Sequence, residues 1–313
     1  MGEVGTRAGT SPGVRAATAA GVCAVAYSYL VGLWLSRHDA LPDAVVAIRD
    51  WVNRPTGLGE DFGFLGVALL LMACGYHVAE GSEADRRGLA LRLLRGGVPL
   101  ACAALAAALL VAVGARPLLD AEVIAPVAAL VLFGVLEVAL LPLLRRHPAL
   151  ALLVLLEAAC ALVLAGGAGL LPGLGLVAAY LPLPLLGRLA RLGGTGRVTA
   201  PRGVVLGVAG LAVVAVADRV FPEVGGYWHA LGAAIALLLF LIAVPRGASV
   251  EHVRPVRWLA ERALPLALAV PVVGYAVLEE LGSLVPAFVA VPAGVLAAGL
   301  AGEAVHRWAE GPA

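Results

Sequence analysis

Long apolar runs separated by short polar segments form the dominant pattern along this chain. A spanning helix needs about 20 predominantly apolar residues, and ten runs match or approach that length. The pattern therefore predicts an all-α polytopic membrane protein with about ten transmembrane helices. The predicted spans are 14–36, 62–79, 97–114, 123–144, 149–170, 172–187, 203–218, 229–245, 263–281 and 284–304.

The polar residues near the two termini set the predicted domain boundaries. We expect residues 1–12 to form a disordered cytoplasmic segment, residues 13–305 a ten-helix membrane domain, and residues 306–313 a cytoplasmic tail. The segments between the apolar runs are too short to hold a soluble domain of useful size. The membrane domain should therefore account for nearly the whole chain.

The placement of arginine predicts the orientation. The chain has 22 basic residues and no Lys. With a cytoplasmic N-terminus, seventeen of these arginines fall in cytoplasmic segments, as the positive-inside rule requires. Both termini are therefore predicted to be cytoplasmic. The Arg-only basic set and the abundance of Ala, Gly, Leu and Val indicate a GC-rich bacterial genome, and hence a bacterial cytoplasmic (inner) membrane.

The composition limits the classes of partner that we expect. Hydrophobic residues make up 61% of the chain and charged residues 14%, against about 25% charged residues in soluble domains. The lipid bilayer is therefore the expected surrounding. The net charge is +1, and the charged residues are divided between the two sides of the predicted membrane rather than gathered in one patch. No nucleic-acid partner is therefore expected. No metal-ligand spacing occurs, so no metal is expected, and the oligomeric state stays open.

Two smaller patterns predict local structure. Ala44–Val52, within the longest outside segment, has the spacing of a short amphipathic helix on the outer surface. Four glycines, together with many Ala, should permit close helix packing. These glycines are Gly66, Gly75, Gly96 and Gly97.

Three arginines are candidates for anion binding. Arg15 opens the first span, either as a cytoplasmic anchor or as an inward-facing charge that meets a phosphate or carboxylate. Arg92 and Arg95 lie three residues apart, on one face if the third helix extends back that far. Arg binds phosphate bidentately, so this pair suits an anionic cofactor such as coenzyme A, with positive-inside anchoring as the alternative.

Four further ionisable residues are candidates for acid–base chemistry. Glu137 and Glu157 lie within the fourth and fifth spans, where buried acids are costly and often functional. They are expected to share a depth, to pair with Arg15, or to be held protonated, and a purely structural contact remains open. His77 and His229 stand at span ends, as general bases or as solvated interface residues.

Several motifs follow a family pattern in order and spacing. Gly63–Val78 resembles a second helix of the form GFLGVDLFFVLSGFLI, and Arg92 and Arg95 precede Pro99 as in an R-x-x-R segment before Pro. The remaining matches are Gly13–Arg15, Pro142–Arg146 and His306–Pro312. In these motifs the chain resembles the membrane-bound acyltransferase 3 family, ten-helix enzymes that O-acylate sugars, lipopolysaccharide, peptidoglycan precursors and some natural products.

The resemblance implies an integral membrane O-acyltransferase. Such an enzyme would pass an acyl group from cytoplasmic acyl-CoA, its donor substrate, to a hydroxyl of a carbohydrate, glycolipid or secondary metabolite. Arg92 and Arg95 would hold the phosphates of acyl-CoA. The candidate catalytic residues are Arg15, Glu137 and Glu157.

Several positions depart from the family pattern, among them Glu137, which lies closer to Pro142 than the family's Glu does. Ala26 and Val270 stand where the family has His, Ala68 stands where it has Asp, and Cys74 where it has Ser. Acyl transfer needs a base that takes the proton of the acceptor hydroxyl. Retained activity, a changed base such as Tyr27, and impaired catalysis are therefore all compatible with the sequence.

Two other functions also fit the pattern of spans. One is a ten-helix transporter or flippase for a lipid or small molecule, which predicts two superimposable five-helix halves. The other is a non-catalytic membrane partner in an envelope or biosynthetic complex.

Overall fold

The structure of the protein is a computed structural model that describes residues 11–58, 60–82, 86–221, 229–246 and 253–310. Of these described residues, 85% are helical and none lies in a strand. The helices in these ranges are α1 (Pro12–Arg37), α2 (Asp43–Ile48, continued by Arg49–Asn53), α3 (Gly63–Ser82), α4 (Arg86–Ala112), α5 (Ala121–Ala139), α6 (Leu141–Arg146), α7 (Pro148–Gly167), α8 (Pro172–Gly194), α9 (Ala200–Val220), α10 (His229–Arg246), α11 (Arg254–Glu261), α12 (Ala263–Gly282) and α13 (Ala287–Glu310).

The ten apolar runs all fold into helices. Seven of these helices are long and apolar enough to cross a membrane, namely α1, α3, α7, α8, α9, α12 and α13. Shorter apolar helices cover Gly96–Ala112, Val123–Ala139 and His229–Pro245. The protein is therefore a multi-pass helical membrane protein, as the apolar pattern predicts.

Glycines allow α3 to pack closely between α1 and α8. A Cβ atom on Gly75 would overlap the carbonyl oxygen of Pro184, and one on Gly187 would overlap that of Met72. On the side facing α1, a Cβ on Gly66 would lie 2.8 Å from the carbonyl oxygen of Gly21. Small residues let helix backbones approach and gain the van der Waals contact that drives association in lipid. α3 is thereby fixed at the centre of the bundle.

Two long helices contain wider, π-helical turns. These turns cover Ser28–Leu33 in α1 and Val270–Gly274 in α12, and they contact each other. A π-helical turn re-aims the following residues and is frequent at functional sites. The two irregular segments thus meet in the half of the bundle that α1, α12 and α13 form.

The two ends of the bundle carry different ionic contacts. At the end where α1 begins and α3 finishes, Arg191 on α8 lies 3.7 Å from Glu80 on α3. We call this the arginine-rich end. At the opposite end, Arg37 at the close of α1 pairs with Asp120 before α5 at 2.8 Å. We call this the α2 end, because α2 lies there.

Two helices extend beyond their predicted bounds at the arginine-rich end. α4 begins at Arg86 rather than at residue 97, because Leu, Ala and Arg, all good helix formers, precede its apolar run. α8 continues past residue 187 to Gly194, because its apolar spacing persists through the charged positions. The predicted end of this span at residue 187 is therefore not the end of the helix.

The chain termini add little to the described fold. α13 runs on to Glu310, through the first part of the predicted tail. Residues 1–10, which make up most of the predicted disordered segment, and residues 311–313 lie outside the described residues.

A short amphipathic helix forms over Ala44–Val52, as predicted. α2 covers Asp43–Ile48 and continues as a wider turn over Arg49–Asn53. It buries Val45 and Arg49, while Trp51 is exposed. This division gives the helix one face on the bundle and one face outward.

We predict that Gly75→Ala destabilises the protein, by about 1–3 kcal/mol, because the new methyl group must displace the α8 backbone at Pro184. The matched control is Gly203→Ala in α9, where a Cβ meets nothing within 4 Å. Thermal unfolding in detergent should show a lower midpoint for Gly75→Ala and an unchanged or higher one for Gly203→Ala. Equal midpoints for both variants would contradict the close contact.

Candidate functional site

A large cleft lies between α1, α3, α4, α5, α11 and α12. Its volume is about 1240 Å³, above the range of about 300–1,000 Å³ common for ligand pockets. Aliphatic side chains make up most of its surface. They include Leu70, Leu100, Val127, Leu130, Leu264 and Leu268.

Charged and polar side chains lie at the arginine-rich end of the cleft. His77, Glu80 and Glu261 line it there. The Nδ1 atom of His77 is 3.7 Å from a carboxylate oxygen of Glu80, and Arg191 approaches the other oxygen at 3.7 Å. The Arg191 guanidinium also lies 5.5 Å from the ring centre of Tyr76. The cleft is therefore amphipathic, with a polar mouth and apolar walls.

Gly96 and Gly97 of α4 line the cleft near this mouth. A Cβ atom on either residue would meet nothing within 4 Å. The prediction that these two glycines serve close helix packing is therefore wrong, whereas Gly66 and Gly75 do pack closely. The two glycines leave open space beside the α4 backbone.

The predicted donor-binding pair precedes these glycines on α4. The helix is continuous from Arg86, so Arg92 and Arg95 occupy one helix face, as their spacing requires. Their side chains lie outside the described residues. By position, the pair is within about one turn of Gly96, next to the mouth of the cleft.

Arg15 lies at the same end, on α1. It is half-buried and stands one turn before Thr18, which lines the cleft. Residues three apart share a helix face, so Arg15 lies on the same face of α1 as Thr18, although it is not among the residues that line the cleft. Thr18 itself donates its hydroxyl hydrogen to the Val14 carbonyl at 2.7 Å, so that hydroxyl is engaged within the helix.

Glu137 forms a buried ion pair with Arg188. The side chain of Glu137 is 0% exposed and that of Arg188 is 1% exposed, and a guanidinium nitrogen donates to a carboxylate oxygen. The pair links α5 to α8. Arg188 follows the predicted end of the sixth span at residue 187, and Arg15 was one of the expected partners of Glu137. In the structure the partner of Glu137 is Arg188 instead. The signal that could have found Arg188 is the apolar spacing of α8, which continues through it.

Glu137 lies just behind the wall of the cleft. Its helix neighbours Phe133, Gly134 and Val138 line the cleft, but Glu137 itself is not among the lining residues. Glu157 on α7 is exposed. The structure therefore does not bring the two acids together in one buried site.

Comparison of the chain with protein-family models, with curated proteins and with solved structures finds no match. The resemblance to acyltransferase 3 enzymes accordingly remains a prediction from the motifs. The positions of the family departures are nevertheless informative. Cys74 lines the cleft, and Val270 opens the π-helical turn of α12.

A second polar cluster lies at the α2 end, where α2 meets α1. Arg49 is 7% exposed and donates from Nη2 to the carbonyl oxygen of Gly32 at 3.0 Å. Ser28 donates its hydroxyl hydrogen to Asp61 at 2.6 Å. Burial raises the pKa of Asp61, although Ser28 and Arg49 act in the opposite direction. This cluster ties α2 to the wide turn of α1.

The same cluster contains polar atoms that the described residues leave without a hydrogen bond. They are the hydroxyl of Tyr27, Nε of Arg49 and Oδ1 of Asn53, all buried. Packing around them is tight, because Gly32 and Gly63 have no room for a Cβ beside Asp61 and Ser28. The cluster therefore suits ordered water better than a substrate.

A carboxylate orients His229 at the start of α10. Its Nδ1 atom is 2.7 Å from Oδ1 of Asp218, and the Ala230 amide donates to the other oxygen at 2.8 Å. The His229 ring also stands 4.3 Å from that of Phe64. A water-sized space of about 20 Å³ adjoins these side chains. The orientation of the mostly buried His229 ring is therefore fixed by Asp218, which also caps the N-terminus of α10.

We predict that breaking the Glu137–Arg188 pair on one side is far more damaging than removing both charges. Glu137→Leu or Arg188→Met alone leaves an uncompensated buried charge, at a cost of about 3–5 kcal/mol. The double variant removes both charges and should recover most of that loss. Folded yield and thermal midpoint of the two single variants and the double variant measure the coupling.

Glu157→Gln provides the control for these variants, because Glu157 is exposed on α7. It should unfold at the wild-type midpoint. If the double variant is as unstable as the two single losses added together, the ion pair is not what couples the two sites.

Proposed function

We propose that the protein is an O-acyltransferase-like membrane protein that takes acyl-CoA as its donor substrate. The amphipathic cleft carries this proposal. An acyl-CoA molecule has an apolar chain and a highly charged head, and the cleft has apolar walls and one polar mouth. The motifs of the acyltransferase 3 family support the same assignment, because Arg92 and Arg95 lie on α4 next to that mouth.

The proposed reaction is acyl transfer to a hydroxyl of a sugar, glycolipid or secondary metabolite. The hydroxyl oxygen attacks the thioester carbonyl, a C–O bond forms, the C–S bond breaks, and the hydroxyl proton ends on the coenzyme A thiol. In this proposal Arg15, which shares a face of α1 with the cleft residue Thr18, stabilises negative charge near the mouth. Glu137 lies behind the wall of the cleft, where its carboxylate pairs with Arg188. In this proposal it therefore positions α5 and does not touch the substrate.

We also propose that the chain crosses a bacterial inner membrane ten times with both termini in the cytoplasm. The distribution of arginine supports this orientation, since Arg254 and Arg257 on α11 and Arg307 on α13 are exposed at the arginine-rich end.

A reporter fused after residue 313 and one inserted at Thr56 test this topology. The C-terminal fusion should be active only as a cytoplasmic reporter such as a fluorescent protein. The insertion at Thr56, which is exposed at the α2 end, should be active only as a periplasmic reporter such as alkaline phosphatase. The reverse pattern at either site would reject the proposed orientation.

The donor assignment predicts that Arg92→Ala/Arg95→Ala weakens acyl-CoA binding by about tenfold or more, because each lost charge-assisted contact is worth about 1.5–3 kcal/mol. Binding of radiolabelled acyl-CoA to purified protein in lipid nanodiscs measures it. The control is Arg145→Ala/Arg146→Ala, two exposed arginines at the same end on α6, which removes the same charge. Equal acyl-CoA binding by both double variants would contradict the assignment of the donor site to α4.

A lipid transporter is the second candidate, and one observation favours it. Val131 and Val135 of α5 line the cleft yet are 50% and 59% exposed, so lipid can approach the cleft from the side of the bundle. A transporter would move a fluorescent lipid between the leaflets of a proteoliposome and form no ester product. An acyltransferase would release free coenzyme A when an acceptor is supplied, and a non-catalytic partner would do neither.

A further inference from the structure

The length of the cleft limits what it can hold. It follows α3 from Glu80 at the arginine-rich end to Val67 toward the α2 end. The thirteen helical steps between these two residues rise about 20 Å. A lipid tail occupies half of the hydrocarbon core of a bilayer, about 15 Å. The cleft can therefore hold an acyl chain of membrane-lipid length end to end.

The far end of the cleft is apolar. Val67, Val123 and Pro271 lie there, with the aromatic ring of Tyr29. The connection between α4 and α5 is tied across this end, because the Leu118 amide donates to the carbonyl oxygen of Pro271 at 2.9 Å. No Asp, Glu, Arg or His lines this end among the described residues. The terminal methyl group of a chain would meet only such surfaces.

We propose that this cleft binds a long acyl chain, with its polar head at His77, Glu80 and Gly97 and its methyl end against Val67 and Val123. The inference rests on the proposed function, because it assigns the chain to the acyl-CoA donor. It goes further by naming the class of donor, a long-chain thioester rather than acetyl-CoA. A two-carbon acyl group would leave most of the apolar wall without contact.

The position of the mouth favours a donor from the cytoplasm as the occupant. Gly96 and Gly97 leave space beside α4 at the arginine-rich end, where a thioester and its head group would emerge. A neutral lipid entering from the side would need no such opening. The polar mouth and the apolar far end together match an amphiphile whose charged head remains at the arginine-rich end.

Chain-length selectivity tests the inference. We would measure binding of acetyl-, octanoyl- and palmitoyl-CoA to the full chain in nanodiscs, with empty nanodiscs as background and palmitate as a competitor. Val67→Phe and Val123→Phe each fill the far end from a different helix, so one remains usable if the other does not fold. Val204→Phe, at an exposed position on α9, is the matched control, and thermal unfolding checks all three variants.

The inference predicts a specific pattern of affinities. Palmitoyl-CoA should bind more than about tenfold tighter than acetyl-CoA, since each buried methylene contributes up to about fourfold. Either far-end variant should lower the affinity for palmitoyl-CoA about tenfold and change the affinity for octanoyl-CoA by less than about twofold. The thermal midpoint of either variant should equal that of the wild type. Val204→Phe should alter neither affinity.

Two outcomes separate the inference from the proposed function. If acetyl-CoA binds as tightly as palmitoyl-CoA, or if the far-end variants weaken all chain lengths equally, the long-chain site is overturned while acyl-CoA remains the donor. If palmitate competes as well as palmitoyl-CoA does, and Val67→Phe abolishes the binding of palmitate, the chain site stands and the acyl-CoA donor function is overturned.

Discussion

The close crossing of α3 and α8 is the contact on which the rest of the structure depends. In lipid, the tails around a helix are as apolar as its side chains, so helices associate through van der Waals packing and polar contacts. Gly75 and Gly187 remove the side chains that would hold the two backbones apart. The crossing sets the position of α8 beyond Gly187, and the next residue, Arg188, is thereby placed in the core.

The buried ion pair follows from that placement. A guanidinium in the interior of a membrane protein carries a large desolvation cost unless a counter-charge and hydrogen bonds accompany it. Glu137 supplies both and ties α5 to α8. One side of α5 is thus anchored while its other residues face the cleft. The cleft is the space left between this anchored centre and the helices α1, α4 and α12.

The α2 end is organised by a different constraint. The π-helical turn of α1 breaks the regular hydrogen-bond ladder there, and Arg49 of α2 donates to the Gly32 carbonyl within that turn. Ser28 and Asp61 complete the contact with the start of α3. A buried polar cluster of this kind is costly when incompletely satisfied, so it fixes α2 and α1 in one arrangement. The charged residues that line the cleft lie at the other end of the bundle.

Much of the fold was determined by the sequence alone, because a bilayer permits few ways to satisfy the backbone. Apolar runs of the required length must be helical in lipid, and each of the ten runs is. The surface helix α2 was also readable from its spacing, and the order of the motifs led to α3 and α4 as the elements nearest the candidate site. These features depend on residues that are close together in the chain.

The tertiary structure alone decided which charges meet and where space remains. Arg188 resembles a loop residue in sequence, since positive charge next to an apolar run usually marks a membrane boundary. Only the packing of α8 on α3 places it beside Glu137, 51 residues away. Likewise, Gly75 and Gly97 are the same residue in similar surroundings, yet one permits a helix crossing and the other faces a cleft. That difference depends on which helix lies opposite, a property that no local pattern contains.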